Sequence, residues 1–231
     1  MKASVYNRYG SPDVLQLKEI AEPIPKNDEV LIKVYASSIN SWDWELLTGK
    51  PYLYRLLFGI LRPKFKVLGA DVAGKVVAVG KDVMHLQPGD EIFGDISGCN
   101  WGGFAEFVCA SENVFALKSP QMTFEEAAAF PQASVLAWQG LQFKSQIKEG
   151  QSILINGAGG GVGTFAIQIA KSFGAVVTAV DSASKLDMLR SIGADYVIDF
   201  KQQDLSNAGK SYDFILDVFS QRSIFDYKRM L

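Results

Sequence analysis

The sequence of 231 residues holds only two cysteines, Cys99 and Cys109, and one histidine, His85. Two cysteines are too few for a disulfide framework, and their spacing is not that of a redox or metal pair, so a reducing cytoplasm is the natural setting. A metal centre needs several Cys, His or carboxylate ligands at fixed spacing, and His85 stands just ahead of Gln87-Pro88-Gly89, where a surface turn is expected. An excess of one charge is also missing. With 23 basic and 25 acidic residues mixed along the chain, the net charge is −2, which leaves no footprint for nucleic acid or an anionic membrane surface. Nor is there a long hydrophobic run: the most apolar stretch, Tyr52 to Leu61, contains Arg55 and is about half of the roughly 20 residues that cross a bilayer. Met1-Lys2-Ala3-Ser4-Val5-Tyr6 enters strand-like alternation at once, without the apolar core and cleavage site of a signal peptide.

What is present suits a globular protein of one large or two modest domains, with 48% hydrophobic and 21% charged residues. Up to about residue 120 the chain reads as short strands, Val30–Val34, Asp71–Gly80 and Glu91–Gly94, punctuated by Pro23, Pro25, Gly80 and Pro88-Gly89-Asp90. Pro and Gly suit turns, and strands at this spacing predict a β-barrel-like domain over 1–120. After Ser119-Pro120 the pattern changes: Thr123-Phe124-Glu125-Glu126-Ala127-Ala128-Ala129 sets a capping residue before acidic first-turn residues, a helix start. From residue 151 apolar strands alternate with amphipathic helices: Ser152–Asn156, Val162–Phe173, Val176–Val180, Ser184–Ile192, Tyr196–Asp199, Asp213–Val218. That alternation predicts an α/β domain over 121–231, with a parallel sheet covered by helices.

The most informative segment is Ile153-Leu154-Ile155-Asn156-Gly157-Ala158-Gly159-Gly160-Gly161-Val162-Gly163. A buried strand runs into a glycine-rich turn with an AxGxxG frame at Ala158, Gly160 and Gly163, and a helix opens at once. Backbone amides of Gly160, Gly161, Val162 and Gly163 then converge at a helix N-terminus, which suits a pyrophosphate. The next strand ends in Asp181, 18 residues beyond Gly163, where an acidic side chain meets the adenosine ribose. The expected cofactor is therefore NADPH or NADH. Asp181 opposes a 2′-phosphate, whereas Ser182, Ser184 and Lys185 in the following turn can hold one, so the sequence leaves the preference open. Asp181 as a helix cap and Lys185 as a solvated lysine are the competing structural readings.

These segments, with Leu68-Gly69-Ala70-Asp71-Val72-Ala73-Gly74, Pro88-Gly89-Asp90-Glu91-Ile92-Phe93-Gly94, Gly103-Phe104-Ala105-Glu106-Phe107 and Leu189-Arg190-Ser191-Ile192-Gly193-Ala194-Asp195, make the whole chain resemble the medium-chain dehydrogenase/reductase superfamily. The resemblance is strongest to zinc-independent, quinone oxidoreductase-like members, including the reticulon-interacting homologues. It implies a GroES-like catalytic domain, a Rossmann cofactor domain, and hydride transfer from NAD(P)H to a quinone, enone or related carbonyl. It also implies that no zinc is bound: the zinc enzymes' cysteine ligand corresponds to Asn40, the histidine of their Gly-His-Glu motif to Ala70, and their four-cysteine lobe has no counterpart. By family position Asn40 faces the nicotinamide edge, with Asp43 beside it and Tyr52 offering a hydroxyl, while Trp42, Trp44, Trp101 and Phe104 are candidates for an aromatic wall. Capping for Asp43 and core packing for the tryptophans are the alternatives. One departure is Leu136, where the family often has a threonine near the nicotinamide.

Family members continue past Leu231 with two more strands and a return to the catalytic domain, so the resemblance implies an incomplete sheet. It also makes a family-type homodimer doubtful, since the usual contact lies in that later part. Two functions stay open: an active reductase, or a cofactor-binding but non-catalytic interaction module.

Overall fold

In a computed structural model, residues 1–142, 146–203, 211–220 and 223–231 are described. The chain divides into two compact units, Met1–Gln132 and Ala133–Leu231.

The first unit is built on antiparallel strands. β1 (Lys2–Val5) pairs with β2 (Gln16–Glu19), and a five-stranded sheet combines β3 (Glu29–Ser37), β4 (Asp71–Val79), β5 (Glu91–Asp95), β6 (Phe107–Ser111) and β7 (Phe115–Leu117) in the order β6-β3-β4-β5-β7. Alternation along β3 and β4 sends Val30, Ile32, Val72 and Val76 into a core with Ile92, Ile96, Val108 and Ala110, the period-2 pattern of a sheet with one buried face. Between β3 and β4 the chain leaves the sheet for two helices, α1 (Ser41–Thr48) and α2 (Tyr54–Phe58). These cover a second cluster around Tyr6, Leu46, Leu47, Leu68 and Trp101.

The helix that starts at Thr123 does not open the second unit, although the composition change near residue 120 suggested it. Thr123 caps α3 (Phe124–Ala129) through a capping box with Glu126, but Ala127 and Ala128 then pack on Ala73 of β4. Phe124 stacks on Tyr35 of β3, with ring centroids 4.5 Å apart. Small side chains let this helix lie directly on the sheet, so the boundary falls twelve residues later than the composition implied.

In the second unit β8 (Ser152–Asn156), β9 (Val176–Asp181), β10 (Tyr196–Asp199) and β11 (Phe214–Asp217) form a parallel sheet ordered β10-β9-β8-β11. Connecting strands in this way needs helical crossovers, supplied by α5 (Gly161–Ser172) and α6 (Leu186–Ser191). On one face Ile153, Ile155, Val177 and Ala179 meet Ala166, Ile167 and Ala170 of α5, together with Ala137 and Leu141 of α4 (Pro131–Gln142). On the other, Leu154, Val180 and Ile198 meet Tyr212 and Met230, the latter just after α7 (Ile224–Lys228). Burial on both faces explains why β8 and β9 read as continuous apolar runs. The order reverses direction between β8 and β11, so the carboxyl ends of the strands frame a crevice where open α/β sheets bind ligands.

Candidate functional site

The crevice in the second unit starts where β8 ends. Gly157 turns the chain with φ +78°, a region costly for residues with a Cβ, and the N–H groups of Gly157 and Ala158 donate to the Val180 carbonyl, each at 3.1 Å. Gly163 is where α5 crosses the loop, for a Cβ there would sit 2.5 Å from the Cα of Ala158 and from the carbonyl oxygens of Gly157 and Ala158. Gly160 and Gly161 are different. Both are exposed; a Cβ on Gly160 would meet nothing nearer than the Gly157 oxygen at 3.5 Å, and one on Gly161 nothing nearer than Ala133 Cβ at 3.4 Å.

Gly160 is the N-cap of the twelve-residue α5. The first-turn amides of Gly161, Val162 and Gly163 have no acceptor among the described residues. Such orphan amides at the positive end of a helix dipole attract an anion, worth about 0.3–1 kcal/mol before direct hydrogen bonds are counted. Open space above two glycines, beside three unsatisfied donors, fits a pyrophosphate.

Below the loop, Asp181 accepts the N–H of Gly159 at 2.8 Å and that of Ser182 at 2.8 Å, with Lys185 Nζ 3.4 Å away. Partial burial pushes its pKa up, but the Ser182 and Gly159 hydrogen bonds and the Lys185 charge outweigh that and hold the carboxyl below the usual range. Asp181 thus ties the glycine loop to the end of β9 rather than capping a helix, and together with Ser182 and Lys185 it borders a cavity of about 690 Å³. Phe200 and Lys201, at the carboxyl end of β10, and Val218 and Phe219, after β11, line the same cavity. Sequence reasoning did not single these four out, although strand ends in an open α/β sheet are where ligands are expected.

In the first unit a polar cluster forms where β3 meets β4. Asn40 caps α1 from an extended backbone, and its Nδ2 donates to Asp71 Oδ2 at 3.1 Å and to Ser38 Oγ at 3.2 Å. Ser38 Oγ reaches Asp71 Oδ2 at 3.2 Å, and the Gln132 amide donates to the same carboxylate at 3.2–3.3 Å. Asp71 is wholly buried. Desolvation raises its pKa to about 6, against the pull of the Asn40 and Gln132 hydrogen bonds, with Asp95 adding a smaller like-charge push.

Asp43, expected beside Asn40 as a reacting group, lies 2% exposed and spends both oxygens on the backbone: Oδ2 accepts the Asn40 N–H at 2.8 Å and Oδ1 the Gly69 N–H at 2.9 Å. That is a capping and clamping role. Tyr52 is exposed on the segment leading into α2, its ring 4.9 Å from the Arg55 guanidinium, and no hydrogen bond joins its hydroxyl to the Asn40 cluster. Trp101 is buried and meets Trp42 edge-on at 5.5 Å, whereas Trp44 is exposed, so the expected aromatic wall is divided between core and surface. His85 is exposed, with its amide on Glu112. Among the described residues no group of three or more His, Cys, Asp or Glu could hold a metal, and no helix is long and apolar enough to cross a membrane.

Known proteins match both units. Residues 26–121 match the alcohol dehydrogenase GroES-like domain, and residues 161–228 match the family described as zinc-binding dehydrogenase. The quinone-oxidoreductase homolog of Spinacia oleracea, described as chloroplastic, is 37% identical over 94% of this chain and 67% of its own length. The chain belongs to the medium-chain dehydrogenase/reductase superfamily, in its quinone oxidoreductase-like branch. A 2-methylene-furan-3-one reductase of Solanum lycopersicum is 40% identical over 96% of the chain, which spans 58% of that protein. The structure of the quinone oxidoreductase from Coxiella burnetii superposes with a TM-score of 0.87 at 32% identity, over 95% of this chain and 68% of that one. The GroES-like and Rossmann expectations hold for this member of the superfamily.

Proposed function

We propose that this chain carries the cofactor and catalytic units of an NADPH-dependent oxidoreductase that passes hydride to a quinone, an enone or a related carbonyl, without zinc. The observation that carries the reading is the set of three unpartnered amides at the start of α5 above Gly160 and Gly161. A bound nicotinamide dinucleotide supplies the hydride; the chain binds, orients and shields. Gly161, Val162 and Gly163 hold the pyrophosphate through their N–H groups. Asp181 lines the cavity too, but its oxygens already accept the Gly159 and Ser182 N–H groups and Lys185 partly neutralises it, so its capacity to accept a ribose 2′-hydroxyl is reduced. Ser182, Lys185 and Lys201 border the same cavity and favour a 2′-phosphate.

By family position Asn40 meets the nicotinamide edge. Asp71 and Ser38 take up its Nδ2, which fixes the amide plane. Independence from zinc is supported by Asn40 and Ala70 at the zinc enzymes' ligand positions. Cys99 and Cys109 are unpaired, which supports a reducing compartment such as the cytoplasm. A second reading, a cofactor-binding module without turnover, is favoured by Leu136, an exposed apolar residue where the family often has threonine.

The test is to mix the purified chain with NADPH and a small naphthoquinone or enone and follow loss of nicotinamide absorbance, alongside NADPH binding. Binding with turnover is expected. Binding without turnover on any acceptor selects the second reading, and no binding refutes both.

A further inference from the structure

The whole-chain charge balance, which argued against a membrane partner, conceals a local segregation. From Leu46 to Ala70 the chain has five of its 23 basic residues and none of its 25 acidic ones. This stretch forms a strap around α2 with two apolar faces. The inner one is explained by the fold: Phe58 and Phe65 pack 5.9 Å apart on the cluster of Leu46, Leu68 and Trp101. The outer one is not. Leu53, Leu56 and Leu57, at and within α2, and Ile60 and Leu61 in the turn that follows it, are 64–88% exposed. Lys50, Arg62, Lys64 and Lys66 are exposed beside them, and none of the four has an ion-pair partner among the described residues. Arg8 shares a surface pocket with Leu61 and Arg62, extending the basic rim.

The strap is firmly held. Arg55 Nε donates to the Gly49 carbonyl at 3.0 Å and its guanidinium lies 4.4 Å from the Tyr9 ring centroid. Tyr9 Oη donates to the Gly59 carbonyl at 2.5 Å, and the Lys64 amide donates to the Phe58 carbonyl at 2.7 Å. A fixed strap that presents five large aliphatic side chains is not an untethered loop in search of a core. Soluble proteins rarely leave contiguous apolar surface inside a polar rim without a partner.

We propose that this face is a docking surface for an anionic lipid bilayer: the five aliphatic side chains enter the interfacial layer while the basic rim lies against the headgroups. Charge complementarity selects this occupant, because apolar side chains framed by Lys and Arg, with no acid in the stretch, are the composition of interfacial membrane anchors. A protein partner or a second copy of this chain would have to answer a rim of one sign. The proposal does not depend on the oxidoreductase reading, and its test uses no nucleotide.

The chain is sedimented with vesicles of phosphatidylcholine alone and with vesicles of equimolar phosphatidylcholine and phosphatidylglycerol. The expected result is at least ~10-fold stronger partition to the anionic vesicles, lost when screening is raised to ~1 M salt. The pairs Leu57→Glu/Leu61→Glu and Arg62→Glu/Lys64→Glu each cut that partition by at least ~10-fold with an unchanged thermal transition, since all four side chains are exposed. Equal partition to both vesicles, partition to neither, or variants that sediment like the parent would overturn the proposal. So would concentration-dependent self-association in sedimentation velocity that Leu57→Glu/Leu61→Glu abolishes, which assigns the face to a second copy.

Discussion

The two polar centres of this chain are built in opposite ways. In the second unit the chemistry belongs to the backbone: Gly161, Val162 and Gly163 contribute N–H groups, and the side chains matter chiefly by being absent. In the first unit it belongs to side chains, Ser38, Asn40 and Asp71, gathered onto one buried carboxylate by the pairing of β3 with β4. A backbone site tolerates no added atoms where elements cross. A side-chain cluster tolerates substitutions of equal shape and responds instead to charge. Mutations can therefore separate the two, beginning with the largest effect.

Gly163→Val drives two branches into Ala158 at the helix–strand crossing, and overpacking of this kind is expected to cost about 3 kcal/mol in urea unfolding. If the Gly163→Val protein is as stable as the parent, the crossing is looser than described and the backbone account fails there.

Asp71 should behave in the opposite sense. Its native pKa of about 6 lies above the roughly 3.9 of an unfolded aspartate, so the native state binds more protons between those values and stability falls as pH rises from about 4 to 6. Asp71→Asn keeps an acceptor for Asn40 and removes the buried charge. It is expected to stabilise the fold at pH 7 by about 2–3 kcal/mol, from roughly two pKa units at 1.36 kcal/mol each, and to flatten that slope. Destabilisation at pH 7 would mean that the carboxylate's hydrogen bonds outweigh its desolvation.

Asp43→Ala leaves two N–H groups without their acceptor, one of them buried on Gly69, at an expected cost of about 2 kcal/mol in chemical denaturation. A loss of turnover at full stability would restore Asp43 as a reacting group. Gly160→Val should leave folding nearly intact, because a first added carbon meets only Gly157 at 3.5 Å, yet weaken NADPH about 10-fold, or about 1.4 kcal/mol, in a binding titration. The smallest effect is expected for Lys185→Ala: about a 3-fold loss for NADPH, with NADH unchanged, as an exposed charge contact contributes under about 1 kcal/mol.

The same contrast governs how much was legible in the sequence. β8 and the start of α5 fall within a residue of where the Ser152–Asn156 run and the Val162 helix placed them, because strand, glycine turn and helix are contiguous and each has its own period. Asp71 lay inside a recognised motif but was passed over. Its partners Ser38 and Asn40, just after β3, and Gln132, on α4, stand 31 to 61 residues away, and nothing local announces that the fold will bring them together. Asp43 illustrates the limit of family position: it does lie beside Asn40, but burial and two backbone donors decide its role. The strap escaped for a third reason. Averaging charge over the chain cancels a basic stretch against distant acids, and only exposure reveals that its leucines face outward.

Whether the amides at the start of α5 hold a nucleotide phosphate is tested by thermal unfolding of the chain titrated with NADPH and, separately, NADH. At ~100 times its dissociation constant a ligand stabilises the native state by ~2.7 kcal/mol. The expected result is a clear rise of the transition with NADPH, a smaller one with NADH, and loss of the NADPH shift in the Gly160→Val protein. A cooperative transition that neither nucleotide moves would contradict it.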